Sequence, residues 1–162
     1  MARQHSEARI SEANLWRVVR EALSPFGRLE RIENGVGLGT PDVVYCLRRH
    51  AKIPQATTGW IELKHVPEWP KRASTPLIIE HLTREQVNFA SRWALAGGNY
   101  TCLVQVKNEF LFLDHRAVAE LFGRQMTRKT LSAVAGVHMI GSFPMSLGLR
   151  WLTKSQEIPA LL

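Results

Sequence analysis

The segment "GWIELKHV" at 59–66 constrains this chain more than any other. Its aromatic and β-branched residues and its alternation read as a strand. Period-2 geometry puts Trp60, Glu62 and Lys64 on one face and Ile61 and Leu63 on the other. Strand-like runs precede and follow it, "DVVYCL" at 42–47 and "YTCLVQV" at 100–106, so it is expected to lie inside a sheet. A carboxylate and an ammonium on an interior strand are costly unless they are paired or bind a metal. The alternative, a cross-strand ion pair on a solvated face, fits poorly with Trp60 beside it and apolar segments around it.

The remaining pattern supplies helices. "SEANLWRVVREALS" at 11–24 carries a stripe of Leu15, Trp16, Val19 and Leu23, with Ser11 as its expected cap and Pro25 and Gly27 as its stop. "RLERIEN" is a short strand-like stretch. "TREQVNFASRWALAGG" at 83–98 predicts a helix capped at Thr83 and ended by Gly97 and Gly98, with Phe89 and Trp93 on its core side. "YTCLVQV" and "FLFLD" (110–114) predict a hairpin across "KNE". "HRAVAELFG" and "TRKTLSAVA" predict two more helices, and the tail from Gly136 fits no single element. Helices interleaved with strands imply a central sheet flanked by helices.

"GVGLGTPDVVYC" at 35–46 invites comparison with a nucleotide-binding loop. A dinucleotide fingerprint runs G-x-G-x-x-G into a helix whose N-terminus holds the pyrophosphate. Here Gly35, Gly37 and Gly39 are spaced G-x-G-x-G, Pro41 follows, and a strand comes next. No G-K-[ST] is present, which excludes a P-loop. The glycines instead predict a tight turn that sets Asp42 at the start of a strand. Asp42 and Glu62 on adjacent strands would offer hard oxygen ligands for Mg²⁺, an ion that takes one or two carboxylates together with waters and substrate phosphate. Lys64, one pleat further, would orient or help to deprotonate an attacking water.

Composition narrows the partner. Twenty-one Lys and Arg against 14 Asp and Glu leave a net charge of +7, which favours a polyanion, nucleic acid before membrane. No window approaches the ~20 apolar residues of a membrane span, and "MARQHSEARISEA" has no signal-peptide core. The six histidines form no zinc-hydrolase pattern. Cys46 and Cys102 form no CxxC pair and are expected to be buried and reduced, in a cytoplasmic protein. A chain of 162 residues suits one domain, burying roughly 70% of its unfolded surface.

"GTPD" at 39–42, "IELK" at 61–64, "EANLW" at 12–16 and "LTREQ" at 82–86 occur in this order between the expected elements. Together they resemble the PD-(D/E)xK nuclease superfamily. More narrowly they resemble its VRR-NUC members and the archaeal-type and viral Holliday-junction resolvases. The resemblance covers roughly residues 11–106, within a motif-bearing core of about 11–114 in a single domain of 1–162. It departs from the subgroup at Trp16, where that pattern often has Gln, and does not reach the helical region of about 115–162. It implies an α/β fold of the restriction-endonuclease kind, a mixed central sheet of about four or five strands flanked by helices. It further implies a Mg²⁺-dependent endonuclease (Mn²⁺ substituting) that cuts DNA, with preference for four-way junctions and a homodimeric state. A prokaryotic or phage source would fit. Asp42 and Glu62 would hold the metal with the Leu63 carbonyl and Glu12, while Lys64 and Gln86 assist catalysis.

Plainer explanations exist beside these roles, and Asp42 would also serve as a simple turn residue after Pro41. Glu12 lies on the stripe of Leu15, Trp16 and Val19, yet as a first-turn Glu it would also be favoured by the helix dipole. Gln86 completes a capping box with Thr83. His65, Trp69, Lys71 and Arg72 in or beside "HVPEWPKRASTP" are candidates for DNA contact, as is Arg31, because Lys and Arg supply most backbone binding. The alternatives to a resolvase are a non-catalytic DNA-binding module and a repair or restriction-like nuclease without junction preference.

Overall fold

Residues 100–104 and 109–113 are buried at every position, which only strands covered on both faces can satisfy. They form β4 (Asn99–Val106) and β5 (Glu109–Leu113), joined at Lys107-Asn108. Lys107 adopts φ +56°, the left-handed conformation that a two-residue hairpin turn requires. In the computed structural model, which describes residues 2–33, 38–49, 55–123 and 126–154 (for 2–11 the backbone only), these strands belong to a six-stranded sheet. The other strands are β1 (Gly27–Arg31), β2 (Val43–Leu47), β3 (Thr57–Val66) and β6 (Val137–Ile140). They lie in sequence order, and every pair is antiparallel except β3 with β4. That parallel pair needs a crossover, and α2 (Arg84–Leu95) provides it.

The alternation of β3 sorts the core into two layers. Ile61 and Leu63 join Val43, Tyr45 and Leu103 beneath α1 (Ala2–Leu23) and α5 (Met145–Leu152). On the other face, Tyr100, Cys102 and Val104 meet α2, α3 (His115–Gly123) and α4 (Arg128–Val134). The Tyr45 hydroxyl crosses the first layer and donates to the Leu152 carbonyl at 2.8 Å, fastening α5 to the sheet. Gly59 makes room for it, since a Cβ there would collide with the Tyr45 hydroxyl.

The α/β class is as expected, with six strands rather than four or five. The additional strand, β6, is four residues long and carries no periodic signal of its own; β5 supplies its pairing. Helix α1 starts at Ala2, so Ser11 lies inside it rather than capping it. Cys102 is buried, but Cys46 is exposed, because it lies on the outward side of β2, opposite the buried Val43, Tyr45 and Leu47. Of the glycine turn, Gly39 is described and has φ +86°, while Gly35 and Gly37 lie outside the described residues. Among the described residues, no helix is long and apolar enough to cross a membrane.

Candidate active site

Strand β3 outruns β2. Pairing between them stops at Val43 opposite Ile61, while β3 continues to Val66. The backbone edge of β3 beyond Ile61 therefore needs another partner. Asp42, the residue just before β2, supplies it: its Oδ2 accepts from the Leu63 amide at 2.7 Å. The Asp42 carbonyl accepts from the Ile32 amide at 2.7 Å, which holds the carboxylate in this notch. A strand residue directs its N–H and C=O to the same side, so the Leu63 carbonyl faces the notch as well.

Glu62 and Lys64 point to the α2 face and are 0% and 4% exposed. Lys64 Nζ and Glu62 Oε1 are 2.5 Å apart. Helix α2 adds a third group. Thr83 and Gln86 form a reciprocal capping box, in which Gln86 Oε1 accepts from the Thr83 amide at 3.0 Å. With the amide oxygen fixed there, Nε2 must turn the other way, and it donates to Glu62 Oε1 at 2.5 Å. Capping and site contact are thus two ends of one side chain. Gly39 brings the preceding loop against the first turn of α2, where a Cβ would strike the Glu85 backbone.

Burial pushes the Glu62 pKa up to about 8; the Lys64 ammonium opposes this and the nearby Asp42 carboxylate adds to it. Burial works against the Lys64 ammonium, but the charge and hydrogen bond of Glu62, with Asp42 behind it, outweigh that and raise the Lys64 pKa. Glu12 is half-buried and feels Lys64, Asp42, His81 and Arg31; desolvation raises its pKa. It sits in the third turn of α1, not the first, so the helix-dipole explanation does not apply to it.

Asp42, Glu62, Lys64, Gln86 and the Leu63 backbone thus converge, with Glu12 at their margin. The second oxygen of Glu62, Oε2, is buried without a hydrogen-bond partner. A solitary buried carboxylate oxygen beside a second carboxylate and a backbone carbonyl suits a hard divalent cation. Among the described residues no three His, Cys, Asp or Glu side chains are grouped as a metal site, so the protein donors reduce to two carboxylates and the Leu63 carbonyl, with Glu12 further off.

The expected DNA contacts are spread more widely. Lys71 and Arg72 are exposed in the loop after β3, and Arg31 is exposed at the end of β1. His65 is half-buried, its Nδ1 has no partner, and burial lowers its pKa. Trp69 is tied down by Glu109, whose Oε1 accepts from its indole at 2.9 Å. Arg128 also bonds Glu109 Oε1 at 2.6 Å and lies 5.5 Å over the Trp69 ring, while His138 reaches Oε2 at 2.9 Å. This buried hub anchors the base of the basic loop. Sequence reasoning missed it, because Glu109 joins residues as far apart as 69 and 138 and only its place at a strand start in an apolar run marks it.

No family model matches the chain, and a search of curated proteins finds no relative.

Proposed function

We propose that this protein is a divalent-metal-dependent endonuclease that hydrolyses DNA phosphodiester bonds. The observation that carries the reading is the notch where β2 ends. There Asp42 and the buried Glu62–Lys64 pair meet, and Glu62 keeps one oxygen unpartnered. A carboxylate and a lysine buried together, with a second carboxylate half-buried beside them, are expensive for folding alone, and function is the usual reason for such an arrangement.

A bound Mg²⁺ or Mn²⁺, held by Asp42, Glu62 and the Leu63 carbonyl, would neutralise charge on the reacting phosphate. The Lys64 ammonium keeps its proton, held by Glu62 Oε1 beside the metal ligands, where it would orient an attacking water. Gln86 keeps Glu62 Oε1 in place from α2 and so fixes which oxygen remains free. The net charge of +7 and the exposed Lys71 and Arg72 favour an extended polyanion as substrate.

Within this class we favour a homodimer that resolves four-way junctions. One chain supplies one such centre, whereas symmetric resolution needs two nicks, and a two-fold axis provides the second. Light scattering combined with cleavage of four-way, flap, single-stranded and duplex DNA tests the whole proposal. A monomer that cuts duplex as fast as junction would remove the resolvase part and leave the nuclease.

A further inference from the structure

Trp60 shares the α2 face of β3 with Glu62, about 7 Å along the strand. It meets the edges of two α2 side chains, Phe89 with centroids 5.6 Å apart and Trp93 with centroids 6.0 Å apart. Phe89 and Trp93 lie 11° from parallel at 5.9 Å. Gly98 seats the Trp93 indole, since a Cβ there would strike the ring. Trp93 is nevertheless 36% exposed, not the core residue that helix periodicity suggests. Beside the pair opens a cavity of about 370 Å³ lined by Leu38, Glu85, Asn88, Phe89, Arg92 and Trp93.

We propose that this cavity takes an unpaired nucleobase next to the scissile phosphate, an inference that rests on the nuclease reading. Three features select this occupant. Phe89 and Trp93 offer a rigid aromatic wall, and bases of any sequence stack on such surfaces. Asn88, Arg92 and Glu85 line the cavity with a carboxamide, a donor fork and an acceptor. The Glu85 carboxylate repels phosphate but accepts from base N–H groups, so the cavity suits the base rather than the backbone. Its place on the same face as Glu62 puts it within reach of a nucleotide bound at the cleavage site. The protein would thereby favour DNA with an unpaired nucleotide near the cut.

The test uses two probes in Ca²⁺ buffer: a blunt duplex, and the same duplex with a single-stranded arm carrying 2-aminopurine at its first unpaired position. Wild type should bind the armed probe about fivefold or more tightly than the blunt one, the worth of one stacked base, and should quench the 2-aminopurine. Trp93→Ala should lose both effects and leave blunt-duplex affinity unchanged. The double variant Asn88→Ala/Arg92→Ala, at two exposed positions, should reduce both in the same direction and guards against misfolding of the first. Retention of preference and quenching in both variants overturns the proposal, as does a wild type with no preference. If wild type cleaves DNA in Mg²⁺ but shows no preference, the cavity inference alone fails. If it binds neither probe, the nuclease reading fails with it.

Discussion

The Asp42 carboxylate accepts a 2.7 Å hydrogen bond from the Leu63 amide across the gap where β2 stops and β3 continues. One side chain thereby satisfies the open edge of a strand and places its charge beside Glu62. The end of a strand is thus also the rim of the candidate site.

Lys64 should matter for folding as well as for chemistry. It is buried against Glu62, and removing one partner of a buried pair typically costs about 3–5 kcal/mol. Lys64→Ala should cost about 3 kcal/mol, near the lower end, because Glu62 can take up a proton instead. The double variant Lys64→Met/Glu62→Gln should recover most of that loss in urea denaturation. An additive or larger loss in the double variant would show that the two side chains are not energetically paired.

Metal binding should be visible without turnover. A cation that binds only the folded protein stabilises it by about 2.7 kcal/mol at a concentration 100 times its Kd. Mg²⁺, Mn²⁺ and Ca²⁺ should each raise Tm for wild type and fail to do so for Asp42→Asn or Glu62→Gln. Equal shifts in all three proteins would place the cation elsewhere.

Exposed Lys71 and Arg72 follow β3 in a loop anchored by the Trp69–Glu109 bond. Neutralising both should flatten the dependence of log K on log salt by about 0.9 per lost phosphate contact on duplex DNA. Titration of DNA binding from low to moderate salt reads this slope. An unchanged slope would mean that neither side chain meets a phosphate.

Tyr45 sets an alkaline limit on stability. Burial raises its pKa above the ordinary value of 10. A group whose folded pKa is raised contributes stability below its unfolded pKa and loses it as pH climbs beyond 10. Wild type should therefore weaken between pH 10 and 11 more steeply than Tyr45→Phe. At neutral pH the variant should cost about 1 kcal/mol, leaving the Leu152 carbonyl without its donor. Parallel pH profiles would contradict the assignment.

Much of this architecture is legible in the sequence because it is local. The capping box at Thr83 and Gln86, the alternation of β3 and the hairpin of β4 and β5 each follow from neighbouring residues. Glu62 and Lys64 stand out because charged residues at those positions conflict with the apolar pattern around them, Asp42 because a glycine turn sets it at a strand start, and Gln86 only through the motif resemblance, since the capping box already accounts for it. What escaped depends on distant partners. Strand β6 exists through β5, α5 docks through Tyr45, and Glu109 gathers Trp69, Arg128 and His138. Helix α1 extends nine residues before Ser11, which an N-cap residue type cannot prevent when the chain on either side is helical. Trp93 has core spacing, but its position near the end of α2 leaves it partly in solvent.

The most direct experiment is cleavage of labelled four-way, flap, single-stranded and duplex DNA by wild type, Asp42→Asn and Glu62→Gln, each with Mg²⁺, Mn²⁺, Ca²⁺ or excess EDTA. Wild type should cut at least one DNA in Mg²⁺ and Mn²⁺ and none in Ca²⁺ or EDTA. Both folded variants should be slower by about 100-fold or more, as when an electrostatic transition-state contact is lost. Cleavage that persists in EDTA or in both variants, or no cleavage of any DNA with either metal, would contradict a metal-dependent nuclease centred on Asp42 and Glu62.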